Sequence, residues 1–286
     1  MPIETPMIGR WDMVIHHPDG DFPSWFELDG EGAGLFVGQF GSARPIKTVH
    51  AETDALKFGL PPQYEPRTDD MVFSGVLVDG ALKGATTHSD GTSMSWHATR
   101  APELANRSVS WSSPKSLISA SLDDWHPRSP NQEFNWSISD GMLVNSKVGS
   151  DIVLNASHSD FRLTCEYKYP AGSNSGIYLR GRYEVQILDD FGKESTWGSS
   201  GAIYGFIVPI VNSIKPPEEW NLCEIDLVGR WVTITLNGTK VIDRQEIPGI
   251  TGGALDSNEG EPGSLFLQGD HGPVTFRRLE LSEPSS

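Results

Sequence analysis

The sequence is poor in cysteine, in positive charge and in long apolar runs, and each shortage excludes a class of protein. Two cysteines in 286 residues are too few for the disulfide framework of a small secreted domain. No run approaches the ~18 apolar residues of a spanning helix, so we expect no membrane partner. The 22 basic residues stand against 38 acidic ones, and a net charge of −16 disfavours nucleic acid as a partner.

Apolar residues at helical spacing are also almost absent, whereas glycine (30) and proline (20) are plentiful. This balance is typical of short strands joined by turns, so we predict an all-β protein with almost no helix. The nine tryptophans have two interpretations, as core fillers or as aromatic faces that stack on sugars. A neutral or weakly charged substrate suits so acidic a chain.

The beginning of the sequence bears on cellular location. Residues 1–6, MPIETP, lack the charged and apolar regions of a signal peptide. We therefore expect a cytoplasmic protein, or a periplasmic one if a leader has been removed. Cys165 alternates with Leu163, and Cys223 with Ile225, on apolar faces. We interpret the two cysteines as free core thiols rather than as a disulfide or a metal pair.

Short alternating runs with glycine turns fill residues 1–100 and predict a small antiparallel β-barrel or strongly curved sheet. Asp29-Gly30, Asp79-Gly80 and Asp90-Gly91 are hairpin signals. The role of this domain stays open between an accessory binding module, a cover for a site elsewhere and a homo-oligomer interface. The predicted strands are Arg10–His16, Ser24–Leu28, Gly34–Phe40, Ile46–Glu52, Leu56–Gly59, Met71–Val78, Ala81–Thr87 and Ser93–Thr99.

Periodicity disappears over residues 101–122, which we interpret as a linker with a helical turn near 117–120. Alternating runs return over 123–286 and predict a two-sheet β-sandwich. Asn237-Gly238 is its clearest hairpin signal. The predicted strands are Trp136–Ser139, Met142–Val144, Ile152–Leu154, Phe161–Tyr169, Ser175–Arg180, Tyr183–Asp189, Ala202–Val208, Trp220–Val228, Trp231–Leu236, Thr239–Arg244, Gly263–Gln268 and Val274–Leu281.

Three of these strands each carry polar or aromatic residues on the side away from the core. Alternation gives the pairs Tyr178 with Arg180, Glu184 with Gln186, and Phe266 with Gln268. If the strands are neighbours, these side chains form one shallow groove, with His271 and Asp270 at its rim. The plain alternative is a half-exposed sheet with ordinary solvent-facing residues.

The same segments resemble the 3-keto-disaccharide hydrolase family. The resemblance rests on NSGIYLRG at 174–181, YEVQILD at 183–189, EWN at 219–221, LNG at 236–238, GSLFLQGDHG at 263–272 and VTFRRL at 274–279. It covers about residues 123–284 and none of the first half. Because that family is similar in fold to the concanavalin A-like lectins and glucanases, the resemblance implies a jelly-roll sandwich with a concave sugar-binding face.

One position departs from the related glucanases, which carry Glu-x-Asp-x-Glu on one strand as a carboxylate pair for double displacement. Here the strand has Glu184 followed by Gln186. An amide replaces a carboxylate, so an ordinary retaining glucanase is disfavoured.

The resemblance implies a glycoside whose C3 hydroxyl has been oxidised to a ketone, and cleavage by elimination and hydration. Such a route needs a base near C2 and positive charge at the enolate oxygen. We expect Glu184 or His271 to be the base or a metal ligand, and Arg180 to stabilise the enolate. The expected substrate-binding residues are Tyr178, Gln186, Gln268, Asn174 and Phe266.

A divalent metal (Ca, Mn or Mg) held by Glu184, His271 and Asp189 is a further expectation, with no organic cofactor. The alternatives are a non-catalytic carbohydrate-binding lectin on the same fold, and a structural or interaction protein. The presence of Arg180, Glu184 and His271 together favours an enzyme acting on a saccharide or glycoside.

Overall fold

The structure is a computed structural model that describes residues 6–285. Within that range the chain forms strands, turns and loops, and no helix, as the sequence predicts. No helix in the described range could therefore cross a bilayer. The chain divides into two compact units. The amino-terminal unit extends to Glu103 and includes Gly249–Gly260, and the carboxyl-terminal unit comprises Leu104–Pro248 and the chain from Glu261 on.

The amino-terminal unit is one antiparallel sheet of consecutive strands. They are β1 (Gly9–His16), β2 (Phe22–Leu28), β3 (Gly34–Val37), β4 (Arg44–Ile46), β5 (Thr48–Ala51), β6 (Ala55–Leu60), β7 (Met71–Val78), β8 (Ala81–Thr87) and β9 (Ser93–Arg100). The order is β4-β3-β2-β1-β9-β8-β7-β6-β5. Lys47 alone separates β4 from β5, and its N–H donates to Gly59 on β6 at 3.1 Å. The sheet thus nearly closes on itself as an up-and-down barrel, which confirms the predicted meander.

Alternate residues of the barrel strands fill its interior. Phe58 and Phe73 stack with ring centroids 5.0 Å apart, and Phe26 lies 5.3 Å from Phe58. Trp11 and Trp96, on neighbouring strands, are buried in the same cluster. The barrel therefore has its own aromatic core, as a unit of this size requires.

The carboxyl-terminal unit is a jelly-roll β-sandwich, as predicted. Its strands are β10 (Lys115–Ser116), β11 (Trp125–Pro127), β12 (Trp136–Ser139), β13 (Met142–Asn145), β14 (Ile152–His158), β15 (Phe161–Lys168), β16 (Asn174–Leu179), β17 (Tyr183–Leu188), β18 (Asn221–Val228), β19 (Trp231–Leu236), β20 (Thr239–Glu246), β21 (Gly263–Leu267) and β22 (Val274–Ser282). One sheet has the order β12-β13-β22-β15-β18-β19-β20, with β10 beside β22, and the other β11-β14-β21-β16-β17.

Two local predictions are wrong. Ala202–Val208 is not a strand, because the chain turns back within it and Ile203 and Ile207 bond to each other at 3.0 and 3.2 Å. The expected helical turn near 117–120 is absent as well. There the chain leaves β10, which pairs with β22, so strand pairing replaces the local turn.

The sandwich core lies between the two sheets and explains the cysteines. Cys165 on β15 and Cys223 on β18 stand opposite each other in register. Both are buried and unbonded, which confirms the prediction of free core thiols. They share the core with Leu163 and Ile225.

The three strands that carry the predicted groove are neighbours, in the order β21-β16-β17. Tyr178 on β16 lies opposite Glu184 on β17 and opposite Phe266 on β21. Their chain neighbours Ile177, Val185 and Leu267 face the core. Alternation thus places these three polar or aromatic side chains together on the other face of the smaller sheet.

Candidate active site

The centre of the site is the carboxyl of Glu184. The residue is 4% exposed, and the phenol of Tyr178 donates a hydrogen bond to its Oε2 at 2.9 Å. Burial raises the pKa of Glu184 to about 8. The bond from Tyr178 and the nearness of His271 oppose this rise, while Asp270 and Asp151 add to it. At neutral pH the group is therefore mainly a carboxylic acid, which can give a proton away.

A glycine makes room for this carboxyl. Gly176 lies on β16, one strand away from Glu184. A Cβ at that position would stand 2.7 Å from Glu184 Oε1 and 3.0 Å from its Cγ. Those distances are shorter than van der Waals contact, so any side chain here would displace the carboxyl.

An aromatic stack forms the floor beside Glu184. The rings of Tyr178 and Phe266 lie 3.9 Å apart between centroids, with an interplanar angle of 15°. The guanidinium of Arg128 lies 5.1 Å from the centre of the Phe266 ring. Burial raises the pKa of Tyr178 well above its ordinary value, so its phenol stays protonated and remains a donor. The floor is thus apolar, with a cation beside it.

A histidine–aspartate pair stands at the rim. His271 Nδ1 bonds to the carboxylate of Asp270, which leaves Nε2 for a substrate. This hydrogen bond raises the pKa of His271 and burial lowers it. The charge of Asp270 raises it further, as do the carboxyls of Glu184 and Asp151 when they are ionised. The imidazole is half exposed, at 52%. An oriented histidine in reach of solvent suits proton transfer.

Asp151 holds the loop that carries this pair. Its Oδ1 accepts the N–H groups of Gly269 at 2.8 Å and Asp270 at 3.3 Å. Its Oδ2 accepts from Arg128 at 3.2 Å. Burial and the charge of Asp270 raise the pKa of Asp151. Asp151 therefore connects the loop that carries Asp270 and His271 to Arg128, which lies beside the ring of Phe266.

Three of the predicted binding residues carry a side-chain oxygen that accepts no hydrogen bond from the described residues. Gln186 Oε1, Gln268 Oε1 and Asn174 Oδ1 are buried, and none has a hydrogen-bond partner among residues 6–285. Buried polar atoms are normally satisfied. Acceptors of this kind suit the hydroxyls of a bound sugar.

The structure does not bring Arg180 to the carboxyl of Glu184. β16 ends at Leu179, and Arg180 follows in the left-handed conformation, with φ of 53°. Its Nη2 donates to the phenol of Tyr183 at 3.0 Å and to the carbonyl of Gly229 at 2.7 Å. Strand alternation ends at this turn, so alternation does not place the Arg180 side chain beside Glu184.

The expected metal set does not converge either. Asp189 lies beyond β17 and accepts the N–H of Gly172 at 2.7 Å. Within the described part of the chain, no three His, Cys, Asp or Glu side chains are grouped as a metal site would need. The donor set of Glu184, His271 and Asp189 therefore does not fit a metal ion.

Sequence reasoning missed an aromatic pair next to β17. Ile203 bridges to Val185, and the N–H of Tyr204 donates to the carbonyl of Glu184 at 3.0 Å. Pairing of this kind puts Tyr204 on the face that carries Glu184. Trp197, 48% exposed, packs edge-on against Tyr204 with ring centroids 5.5 Å apart. No periodic pattern marks this loop, because it pairs through single bridges.

Arg128 and Asp151 were missed for a different reason. Both lie at ends of the paired strands β11 and β14, far in sequence from the motif that marks the site. Only the order of strands in the sheet brings them beside Phe266 and Asp270, and a single sequence does not show that order.

Comparison with known proteins gives a family match and several similar folds. The 3-keto-alpha-glucoside-1,2-lyase-like domain matches residues 113–282. No curated protein matches the chain. A solved structure from Parabacteroides distasonis ATCC 8503, named as a candidate glycosyl hydrolase, is 23% identical with a TM-score of 0.50, over 64% of this chain and 93% of that one. This likeness shows the fold.

Two further structures are similar at lower scores. Another candidate glycosyl hydrolase from Parabacteroides distasonis ATCC 8503 is 24% identical with a TM-score of 0.47, over 60% of this chain and all (100%) of that one. A non-specific endo-β-1,3(4)-glucanase from family GH16 is 9% identical with a TM-score of 0.43, over 65% of this chain and 96% of that one.

Proposed function

The chain belongs to the family of 3-keto-alpha-glucoside-1,2-lyase-like domains, which is carbohydrate-active, and from that premise we propose that it cleaves 3-keto-glycosides by elimination followed by hydration. The observation that carries the proposal is that the buried carboxyl of Glu184, which accepts a hydrogen bond from Tyr178, lies near His271, which Asp270 orients. These two groups supply an acid and a base without the carboxylate pair of a glucanase, because Gln186 occupies that position.

In the elimination step, His271 Nε2 removes the C2 proton of the bound sugar. The electron pair moves to the C3 oxygen and forms an enolate. When the C3 carbonyl re-forms, a C1–C2 double bond forms and the bond from C1 to the leaving oxygen breaks. Glu184 gives its proton to that oxygen, and the products are an enone and the free aglycone.

In the hydration step, water adds to C1 and the Glu184 carboxylate takes its proton. The electron pair returns to the C3 oxygen, and protonated His271 then gives a proton to C2. Both groups regain their starting states, and the net reaction is hydrolysis. If the enone leaves before water adds, the net reaction is that of a lyase.

Positive charge at the enolate comes from Arg128 in this proposal, in place of Arg180. Arg128 is held by Asp151 and lies over Phe266, beside the floor on which the sugar would rest. A preorganised cation of this kind stabilises a developing oxyanion by about 3–4 kcal/mol. We assign no step to a metal.

Sugar recognition is assigned to the three buried amide oxygens without a hydrogen-bond partner in the described part of the chain and to the aromatic pair beside β17. Gln186, Gln268 and Asn174 would accept hydrogen bonds from hydroxyls, and Trp197 with Tyr204 would pack against the apolar face of a ring. The saccharide is thus the substrate class that the donors and acceptors favour.

The test compares a 3-keto-glucoside with its unoxidised parent, with and without chelator, by following release of the aglycone. Release from the keto form alone, unaffected by chelator, is the expected result. Release from the parent would contradict the need for an acidic C2 proton. Binding of both sugars in a calorimeter without release from either would favour a lectin instead.

A further inference from the structure

The amino-terminal barrel contains a cavity at one end, lined by residues between Ile15 and Met94. Its volume is about 550 Å³, within the ordinary range for small-molecule sites. Its lining comes from four connections at the same end of the barrel, those after β1, β3, β6 and β8. β4 and β5 run in the same direction on either side of Lys47, because β1 is antiparallel to both of its neighbours. They therefore count as one strand, and the alternation of loops between the two ends of an up-and-down barrel places these four connections around one opening.

The floor of the cavity is apolar and aromatic. Phe36 and Phe73, with ring centroids 5.2 Å apart, lie at its base with Ile15, Met71 and Met94. All five are at most 6% exposed, so the floor is the upper layer of the barrel core. Methionine and phenylalanine adapt well to flat ring systems.

Two aromatic side chains stand at the lip. Phe40 is 63% exposed and Tyr64 is 67% exposed, and both line the cavity. Exposed rings beside an apolar hollow are typical of ligand sites. The lip is also held in place, since the N–H of Gly253 donates to Gln39 at 2.8 Å.

The charged side chains around the cavity favour an uncharged ligand. Arg44 donates two hydrogen bonds to Glu65, at 2.7 and 2.9 Å. Burial opposes the ionisation of Glu65, but the bonds from Arg44 and from the backbone lower its pKa to about 2. The pair is therefore fully ionised and internally neutral. Asp19 and Asp90, at 93% and 58% exposure, are solvated at the rim and would repel an anion.

Two histidines give the rim its polar contacts. His17 and His88 meet edge-on with centroids 5.5 Å apart, and both line the cavity. Each lies near an aspartate, His17 with Asp19 at 3.7 Å and His88 with Asp90 at 3.1 Å. Imidazole can both donate and accept, so this edge suits a hydroxyl or amine on the ligand.

We propose that this cavity is a binding site for a small, uncharged aromatic molecule, with its ring system on Phe36 and Phe73 between Phe40 and Tyr64, and its polar group at His17 and His88. The site is distinct from the glycoside site, so the proposal does not depend on the proposed function. It assigns the barrel a role as an accessory binding domain.

The direct test uses N-phenyl-1-naphthylamine, a neutral aromatic probe whose fluorescence rises in apolar surroundings, on the full-length chain. Saturable binding with one site is expected. The anionic analogue 8-anilino-1-naphthalenesulfonate is expected to bind at least about tenfold more weakly, because the rim carries net negative charge. Equal or tighter binding of the anion would overturn the assignment of an uncharged ligand.

A matched pair of substitutions locates the probe. Gly38→Leu narrows the cavity, and a Cβ there meets Phe36 at an ordinary 3.5 Å. Gly30→Leu is the control, because Gly30 lies in the β2–β3 turn at the other end of the barrel and a Cβ there meets only Ile8, at 3.7 Å. We expect Gly38→Leu to weaken binding by about tenfold or more and Gly30→Leu to leave it unchanged. Equal binding by both folded variants would place the probe elsewhere and overturn the proposal.

If Gly38→Leu does not fold, Phe40→Ala and Tyr64→Ala replace it. Both side chains are exposed, so their loss leaves the core intact. Loss of binding in the double variant, with an unchanged thermal transition, supports the site; unchanged binding contradicts it.

Discussion

Tyr178 donates a hydrogen bond of 2.9 Å to Glu184 across two neighbouring strands, and neither side chain is more than 4% exposed. The bond favours the ionised form of a carboxyl that burial keeps protonated. Glu184 is therefore poised near the pH at which an acid can also act as a base on the return step.

Glu184→Gln should reduce aglycone release by about two to four decades while the fold is retained, because the amide keeps the shape but has no proton to give. The measurement is the initial rate on a 3-keto-glucoside. Glu133→Gln is the matched control, since Glu133 is 63% exposed and pairs with Lys147 at the surface. Full activity of Glu184→Gln would remove Glu184 from the mechanism.

The rate should fall as the pH rises through about 8, where Glu184 loses its proton. In Tyr178→Phe this alkaline limb should move to higher pH, because the lost hydrogen bond was lowering the pKa of Glu184. The measurement is kcat/KM from pH 5 to pH 10. An alkaline limb that stays in place would show that a group other than Glu184 titrates there, and a rate that rises through pH 8 would mean that Glu184 acts first as a base.

Asp270→Asn should move the acidic limb of the same profile to lower pH. Asp270 raises the pKa of His271 through a hydrogen bond and its charge, so its loss lets the imidazole become neutral at lower pH. Only the neutral imidazole can take the C2 proton. An acidic limb that does not move would show that a group other than His271 is the base.

Glu184→Gln should also stabilise the protein, and more so at high pH. The folded pKa of Glu184, about 8, lies above the ordinary value of 4.5, so the penalty for ionising it is absent below 4.5 and complete above about 8. Above that pH the substitution should raise the free energy of unfolding by about 2–4 kcal/mol. Denaturant titrations at pH 5 and pH 9 measure the difference; an equal effect at both would contradict the raised pKa.

Gly176→Ala should reduce activity by about 100-fold, because a displacement of the carboxyl by about 1 Å costs that much in a positioned site. Gly30→Ala is the control, with 3.7 Å to the nearest atom. Wild-type activity in Gly176→Ala would show that the position of Glu184 is not critical.

The sequence predicts the strands well, because alternation and turn residues are local signals. β16, β17 and β21 were expected from periodicity, and so was the grouping of Glu184, Gln186 and Phe266 on one face. The positions that sequence reasoning does not predict are those that depend on turn conformation or on the order of strands in the sheet. Arg180 leaves the strand pattern at a left-handed turn, and Arg128 reaches Phe266 only through strand order.

In the barrel, too, local signals predict the strands but not the contacts between distant parts of the chain. Its meander follows from consecutive hairpins, but the assignment of Gly249–Gly260 to the amino-terminal unit has no local signal. The pairing of His17 with His88 across the barrel opening is also a consequence of closure, since these residues lie far apart in sequence.

The fate of the hydrogen at C2 distinguishes elimination from direct displacement. A 3-keto-glucoside carrying deuterium at C2 is cleaved by the wild-type protein, with Glu184→Gln and a protein-free sample as controls for spontaneous exchange. Elimination predicts slower release than from the protiated substrate. It also predicts loss of deuterium from the sugar product, because the half-exposed imidazole of His271 exchanges with solvent before it returns a proton to C2. Equal rates with deuterium fully retained at C2 would show direct displacement at C1 and contradict elimination.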